Sequence, residues 1–181
     1  MTGHNHKIIF TGPVGAGKTT AISAISDIDV LKTDENAQDM TKKRKQTTTV
    51  ALDYGLLKLG EDERIHLYGT PGQERFDFMW DILTNGGLGL VLLLDNSRPT
   101  PFKDMDFFLD AFRDFICDNK MVMGVTHMEH NEAPKIEAYH QQLHKRGIKA
   151  PVLEIDAREK NDIKTLIKAL LYSLDPWLGR Q

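Results

Sequence analysis

The chain has 181 residues, 40% of them hydrophobic and 27% charged, with a formal net charge of −3. That length suits one domain, residues 1–181, with a sizeable core, and that charge excludes the whole chain as an electrostatic trap for nucleic acid. A single cysteine, Cys117, excludes an internal disulfide and fits a reducing compartment; lying in an apolar helical pattern, it is expected to be a buried structural thiol.

No stretch reaches the roughly 18 apolar residues that span a bilayer. Residues 1–7 contain no signal-peptide apolar region. Thr2 in place of glycine leaves no myristoylation signal, and residues 178–181 bring no prenylation cysteine. A cytoplasmic protein without a direct membrane anchor is expected, reaching a membrane or cell pole only through a partner.

Residues 7–11 (Ile8-Ile9-Phe10 at their centre) read as a strand buried on both faces. Gly12-Pro13-Val14-Gly15-Ala16-Gly17-Lys18-Thr19 follows, a G-x-x-x-x-G-K-T loop between a strand and a helix. Its glycines let the backbone curl so that N–H groups form an anion nest. Lys18 brings a cation to the outer phosphates and Thr19 a hydroxyl to Mg²⁺. The helix over 18–26 adds its positive end. The expected phosphate cradle is Gly12, Val14, Gly15, Ala16, Gly17, Lys18, Thr19 and Thr20. It implies a nucleoside triphosphate without saying which base.

Residues 27–47 are polar with weak periodicity, as in a functional loop. They carry the basic run Lys42-Lys43-Arg44-Lys45, read mainly as a solvated loop, with Arg44 as a possible in-cis arginine finger. Segments 48–59 and 64–69 read as a hairpin turning at 60–63. Thr70-Pro71-Gly72-Gln73 breaks the chain before a short helix to about residue 83. Residues 89–95 form a central strand. Thr100 and Pro101 read as N-cap and first position of a helix, with Met105, Phe108, Leu109, Phe112, Phe115 and Ile116 on one face. A strand over 121–125 precedes a helix over 132–146, capped by Asn131 and ended by Gly147. The last strand and helix occupy 151–155 and 161–174.

This alternation predicts an open α/β fold: six strands, mostly parallel with one antiparallel, and helices on both faces. Such sheets bind ligands at the carboxyl ends of their strands. Residues 12–19, 69–73, 126–129 and 156–158 all fall there, which predicts a single site.

The order of motifs resembles the Ras-like small GTPases, a branch of the P-loop NTPases, over nearly the whole chain. Thr49-Val50-Ala51-Leu52-Asp53-Tyr54 is similar to the switch I segment Thr-Ile-Gly-Val-Asp-Phe, and Gly69-Thr70-Pro71-Gly72-Gln73-Glu74 to Asp-Thr-Ala-Gly-Gln-Glu of switch II. The resemblance implies GTP hydrolysed to GDP, with Mg²⁺ held by Thr19 and Thr49. It also implies a γ-phosphate contact from the Gly72 N–H and an attacking water oriented by Gln73 as the catalytic residue. The Pro-Gly-Gln of switch II and Thr47-Thr48-Thr49-Val50-Ala51-Leu52-Asp53 look more like a prokaryotic branch, the gliding-motility GTPases. These work with roadblock/LC7-domain partners, which implies a protein effector and a GAP-like regulator. The signal-recognition-particle receptor β subunit is a looser neighbour.

Four positions depart from the family pattern. Gly69 replaces the aspartate that holds Mg²⁺ through a water, so weaker metal affinity is expected. Thr126-His127-Met128-Glu129 replaces Asn-Lys-x-Asp; Glu129 still offers a carboxylate to guanine and His127 a cover for the base, so guanine selectivity is expected to be reduced. Val14 replaces a glycine beside the attacking water, implying slow intrinsic turnover that a partner assists. Asp156-Ala157-Arg158 replaces Ser-Ala-Lys, leaving the Ala157 N–H for the base O6 and Arg158 to stack.

Two other classes stay open. Leu92-Leu93-Leu94-Asp95 has the form of a Walker B strand, as in a P-loop ATPase or small-molecule kinase with Asp95 on the metal. A non-hydrolysing nucleotide-binding scaffold is compatible with Gly69 and Val14. The histidines at 127 and 130, and the pair His140 and His144, are read as solvated rather than metal-binding, and His4 and His6 as part of a frayed terminus. Of Phe76, Phe78, Met79 and Trp80 some are expected in the core, and the cluster is also read as an effector or regulator patch beside switch II; Trp177 is read as packing the C-terminal tail.

Overall fold

The computed structural model describes residues 5–32, 52–60, 63–72, 80, 83–129 and 133–174. Among the described residues seven strands form one sheet: β1 (Asn5–Thr11), β2 (Leu31–Lys32), β3 (Asp53–Lys58), β4 (Arg64–Gly69), β5 (Gly89–Asp95), β6 (Lys120–Thr126) and β7 (Val152–Glu154). Their order is β2-β3-β4-β1-β5-β6-β7. β1 pairs in parallel with β4 and β5, and β5–β6 and β6–β7 are also parallel. β3 runs antiparallel to both β2 and β4, so a single strand opposes the rest, as expected. The seventh strand is β2, whose two residues pair with Tyr54 and Asp53; a dipeptide carries no periodicity, so only its pairing reveals it.

Among the described residues Trp80, Leu83 and Thr84 are helical, and the helices with full bounds are α1 (Lys18–Ile25), α2 (Pro101–Ala111), α3 (Arg113–Asp118), α4 (Ile136–Lys145) and α5 (Lys160–Leu174). Alternating residues of the central strands feed two cores. Ile8, Phe10, Val91 and Leu93 pack with Ile22 and Ile25 of α1 and Leu166 and Leu170 of α5. Ile9, Leu90, Leu92 and Leu94 pack on the other face with Phe108 of α2 and Tyr139 and Leu143 of α4. Burial on both faces is why β1 and β5 read as unbroken apolar runs. Because strands spread both ways from β1, the crevice opens at its carboxyl end, where residues 12–17 leave the sheet.

Several local expectations need correction. The helix expected from residue 101 is interrupted at Phe112, whose φ of −102° and ψ of 18° depart from helical values. Phe112 is itself buried, so core packing holds the break. Thr100 stands at the N-cap, but its side chain makes no capping bond; its carbonyl accepts from the Lys103 and Asp104 N–H groups. Cys117 is exposed, not buried. α3 has no fully buried residue, and Cys117 falls beyond the stripe that ends with half-buried Phe115 and Ile116. α4 begins at Ile136 rather than 132, because Pro134 lacks an N–H and disfavours helical backbone in the residue before it. Asn131, expected as its cap, lies outside the described residues. Gly147 ends the helix as expected: at φ 71° its N–H reaches the His144 carbonyl, and the Ile148 N–H reaches that of Leu143.

Candidate functional site

The loop over 12–17 keeps its shape through glycines no other residue could replace. Gly12 has φ 139°, and a Cβ there would stand 2.0 Å from the Leu93 carbonyl oxygen. Gly17 has φ 93°, and its Cβ would approach that of Ala157 to 2.8 Å. The loop is thus pressed against β5 on one side and residues 156–158 on the other. α1 starts directly after Gly17 with no side-chain cap, which leaves first-turn N–H groups directed at the crevice. Lys18 is buried and donates from Nζ to the Gly12 and Pro13 carbonyls at 2.8 Å each. Burial pushes its ammonium down to about 8, against the opposing pull of the Asp53 charge.

A cavity of about 570 Å³ opens beside this loop. Gly15, Ala16, Gly17 and Thr20 line one wall; Thr126, His127 and Glu129, with Asp156, Ala157 and Arg158, line the other. Segments more than 100 residues apart in sequence are joined because β1, β6 and β7 are parallel and end together. Gly72 belongs to the same end: a Cβ on it would lie 2.5 Å from the Val14 nitrogen and 2.9 Å from Lys18 Nζ. Thr49, Gln73 and Arg44 lie outside the described residues.

Thr126 is buried, and its hydroxyl donates to the Leu94 carbonyl at 3.2 Å, tying the ends of β5 and β6. His127 adopts φ 56°, unusual for a residue with a side chain. Its Nδ1 lies 3.1 Å from an Asp95 carboxylate oxygen and 3.2 Å from the Thr126 hydroxyl. The same Asp95 oxygen accepts from the Ser97 N–H and hydroxyl. Arg158 forks onto Asp156, and the guanidinium holds that carboxyl down to about 2. Asp162 accepts the Asp156 N–H at 2.9 Å, bracing this loop from the first turn of α5.

Sequence reasoning named neither Asp162 nor Asp53 as a site residue. Asp162 was legible as an acid in a helix's first turn. Asp53 accepts a hydrogen bond from the Thr19 hydroxyl, a contact that depends on strand register. The Thr19 hydroxyl and the Asp53 carboxylate are hard oxygen donors of the kind Mg²⁺ takes. Among the described residues no group of three or more His, Cys, Asp or Glu could form a metal cage. The donor set therefore fits a cation carried mainly by phosphate and water.

Trp80 is 3% exposed and stacks on Phe112 at 4.9 Å, so it is one of the cluster's core residues. Phe76, Phe78 and Met79, the rest of that cluster, lie outside the described residues, as do the run at 42–45, His4, His130 and Trp177. His140 and His144 are exposed, in keeping with a solvated face. Among the described residues no helix is long and apolar enough to cross a membrane.

The family described as "Conserved hypothetical ATP binding protein" matches residues 28–170. An uncharacterized protein of Methanocaldococcus jannaschii is 33% identical over 92 residues, 51% of this chain and 52% of that protein, so the chain matches about half of that relative's length. Ras-related protein RABA2a of Arabidopsis thaliana is 23% identical across 91% of this chain and 72% of its own length. Ras-related protein RabC of Dictyostelium discoideum is 20% identical across 94% and 84%. The sheet, the glycine loop and these Ras-related similarities together make the fold that of a P-loop NTPase.

Proposed function

We propose, from the premise that this chain belongs to the family of conserved hypothetical ATP-binding proteins, that it binds a guanine nucleotide and hydrolyses GTP to GDP as a slow molecular switch, residues 1–181 forming one G domain. The carrying observation is the cavity that the glycine loop and the segments 126–129 and 156–158 line together. Phosphates belong on the loop N–H groups and Lys18. The base belongs against His127, with Glu129 accepting its N–H donors and the Ala157 N–H meeting its carbonyl oxygen.

Hydrolysis in this reading is in-line attack of water on the γ-phosphorus. Gln73 orients the water; as its oxygen bonds to the γ-phosphorus, the bond to the β–γ bridging oxygen breaks and that oxygen leaves with GDP, the water's proton passing to the released phosphate. The Gly72 N–H neutralises charge on a γ-phosphate oxygen and Lys18 on the β- and γ-phosphate oxygens. Mg²⁺ on Thr19 and Thr49 would neutralise the β- and γ-phosphate oxygens. Val14, 57% exposed beside Gly72, crowds the water and keeps turnover slow. Ordering of 49 and 72–73 around the γ-phosphate, released after hydrolysis, would make the switch that an effector reads. The gliding-motility branch, with a roadblock/LC7-type or GAP-like regulator, is supported by Pro71-Gly72-Gln73 and the 47–53 segment.

Equilibrium binding of GTP against ATP to the purified protein tests the reading. GTP is expected to bind more tightly; ATP binding at least as tight overturns the guanine assignment. Single-turnover hydrolysis is expected to slow with Gln73→Leu and quicken with Val14→Gly. Equal, near-zero rates for wild type and Gln73→Leu would leave a nucleotide-binding scaffold. The family's description favours the ATPase reading. Against it, Asp95, its proposed metal ligand, is engaged by Ser97 and His127 on the base side.

A further inference from the structure

We infer that Asp53 supplies the carboxylate of the metal site, from the strand opposite the position where the Ras-like pattern carries it. The inference rests on the nucleotide-switch reading above and adds a residue that reading does not use.

Three observations meet at Asp53. It is the first residue of β3, and its register partner across the antiparallel ladder is Gly69, the last residue of β4. Directly opposed residues project from the same face, so both sit at the sheet end where the phosphate loop emerges. A Cβ built on Gly69 would lie 3.0 Å from the Asp53 Cβ and 3.2 Å from its Oδ2. The Asp53 carboxylate thus occupies the space a side chain at 69 would enter. The Thr19 hydroxyl, the loop's own metal donor, is hydrogen bonded to that same Oδ2.

The glycine is therefore not a simple loss. A side chain at 69 would press on Asp53 as it stands here, and a second carboxylate so close would repel the first. With 69 reduced to backbone, the acid on the neighbouring strand reaches the same place. Packing of Ile22 Cδ1 at 3.1 Å from the same position closes the apolar side and leaves the acid facing Thr19 and Lys18. One protein carboxylate beside a threonine hydroxyl is a suitable donor pair for a cation that keeps most of its coordination for phosphate and water. Asp53 is also the residue to which Lys32 of β2 is paired, so the strand addition at this edge holds its backbone.

The test reads metal coupling, not turnover. GDP release from the full chain is followed with a fluorescent analogue while Mg²⁺ is titrated, for wild type, Asp53→Asn, and the exchange Asp53→Gly/Gly69→Asp, with thermal melts alongside. Asp53→Asn keeps an acceptor for Thr19 and removes the charge. It is expected to raise the Mg²⁺ concentration that half-slows release by about tenfold or more, with a cooperative melt. The exchange is expected to return that midpoint to within a few-fold of wild type. A folded Asp53→Asn protein with the wild-type midpoint overturns the assignment and leaves Asp53 a structural partner of Thr19. If Asp53→Asn does not fold, the exchange decides: retained Mg²⁺ coupling supports the assignment, and a folded but uncoupled protein overturns it. A wild type that binds no nucleotide, or releases it regardless of Mg²⁺, overturns the functional reading itself.

Discussion

His127 and Asp95 meet across the ends of β6 and β5, Nδ1 to Oδ1 at 3.1 Å, while the His127 backbone is held at φ 56°. The contact fixes the histidine over one wall of the cavity. It also engages the acid that a Walker B reading would give to the metal. Asp95→Ala is therefore expected to weaken nucleotide binding by about fivefold, the scale of one lost hydrogen bond, with its Mg²⁺ dependence unchanged. Calorimetric titration with and without Mg²⁺ checks this; loss of the Mg²⁺ dependence would favour the ATPase reading. His127→Asn should be tolerated, since asparagine accepts positive φ. His127→Val should cost about 1–2 kcal/mol in a denaturant melt.

Glu129 is exposed on the cavity rim and makes no core contact that its loss would break. Glu129→Ala should leave the melting transition within about 0.5 kcal/mol of wild type. It should reduce the preference for GTP over ATP by roughly tenfold or more, because the acceptor for the guanine donors is gone. Competition between the two nucleotides for a fluorescent analogue reads the ratio. An unchanged ratio would remove Glu129 from base recognition.

Burial lowers Lys18 from 10.5 to about 8, more than the Asp53 charge can offset. The unfolded chain then binds more protons than the folded one between about pH 8 and 10.5, so nucleotide-free protein should gain stability as pH rises through that window. Below pH 8 the cost of burying the charge is present in full. Phosphate affinity should move the other way, falling above pH 8 as the cation is lost. Chemical denaturation and nucleotide titrations from pH 7 to 10 should show both trends in wild type and neither in Lys18→Met.

Trp80 packs against Phe107, Phe108 and Phe112 with ring centroids 5.9, 5.6 and 4.9 Å away. Trp80→Ala should destabilise the protein by about 3–5 kcal/mol, and Trp80→Phe by much less. A surface anchor would give the opposite result, an unchanged melt with a lost partner. Equilibrium urea unfolding distinguishes the two.

The glycine loop over 12–17, the central strands and the segments 126–129 and 156–158 were legible because each is written locally. Continuous apolar runs mark strands buried on both faces, and Gly12 and Gly17 mark backbone that side chains would block. Pro134 was equally legible as a bar to helix at 133–135, just before Ile136. Trp80 lies four residues beyond Phe76 among aromatics that composition alone cannot divide between core and surface.

By itself the sequence determined the main strand–helix alternation, the glycine loop after β1 and the end of the sheet at which the cavity opens. Those follow from side-chain period and backbone permission, which are short-range. Only the tertiary structure decided that Asp53 stands against Thr19 and Gly69, that Asp95 engages His127, and that Cys117 is exposed. Strand register and helix rotation bring such residues together or apart. Both are fixed by packing summed over the whole sheet, which no local stretch of sequence records.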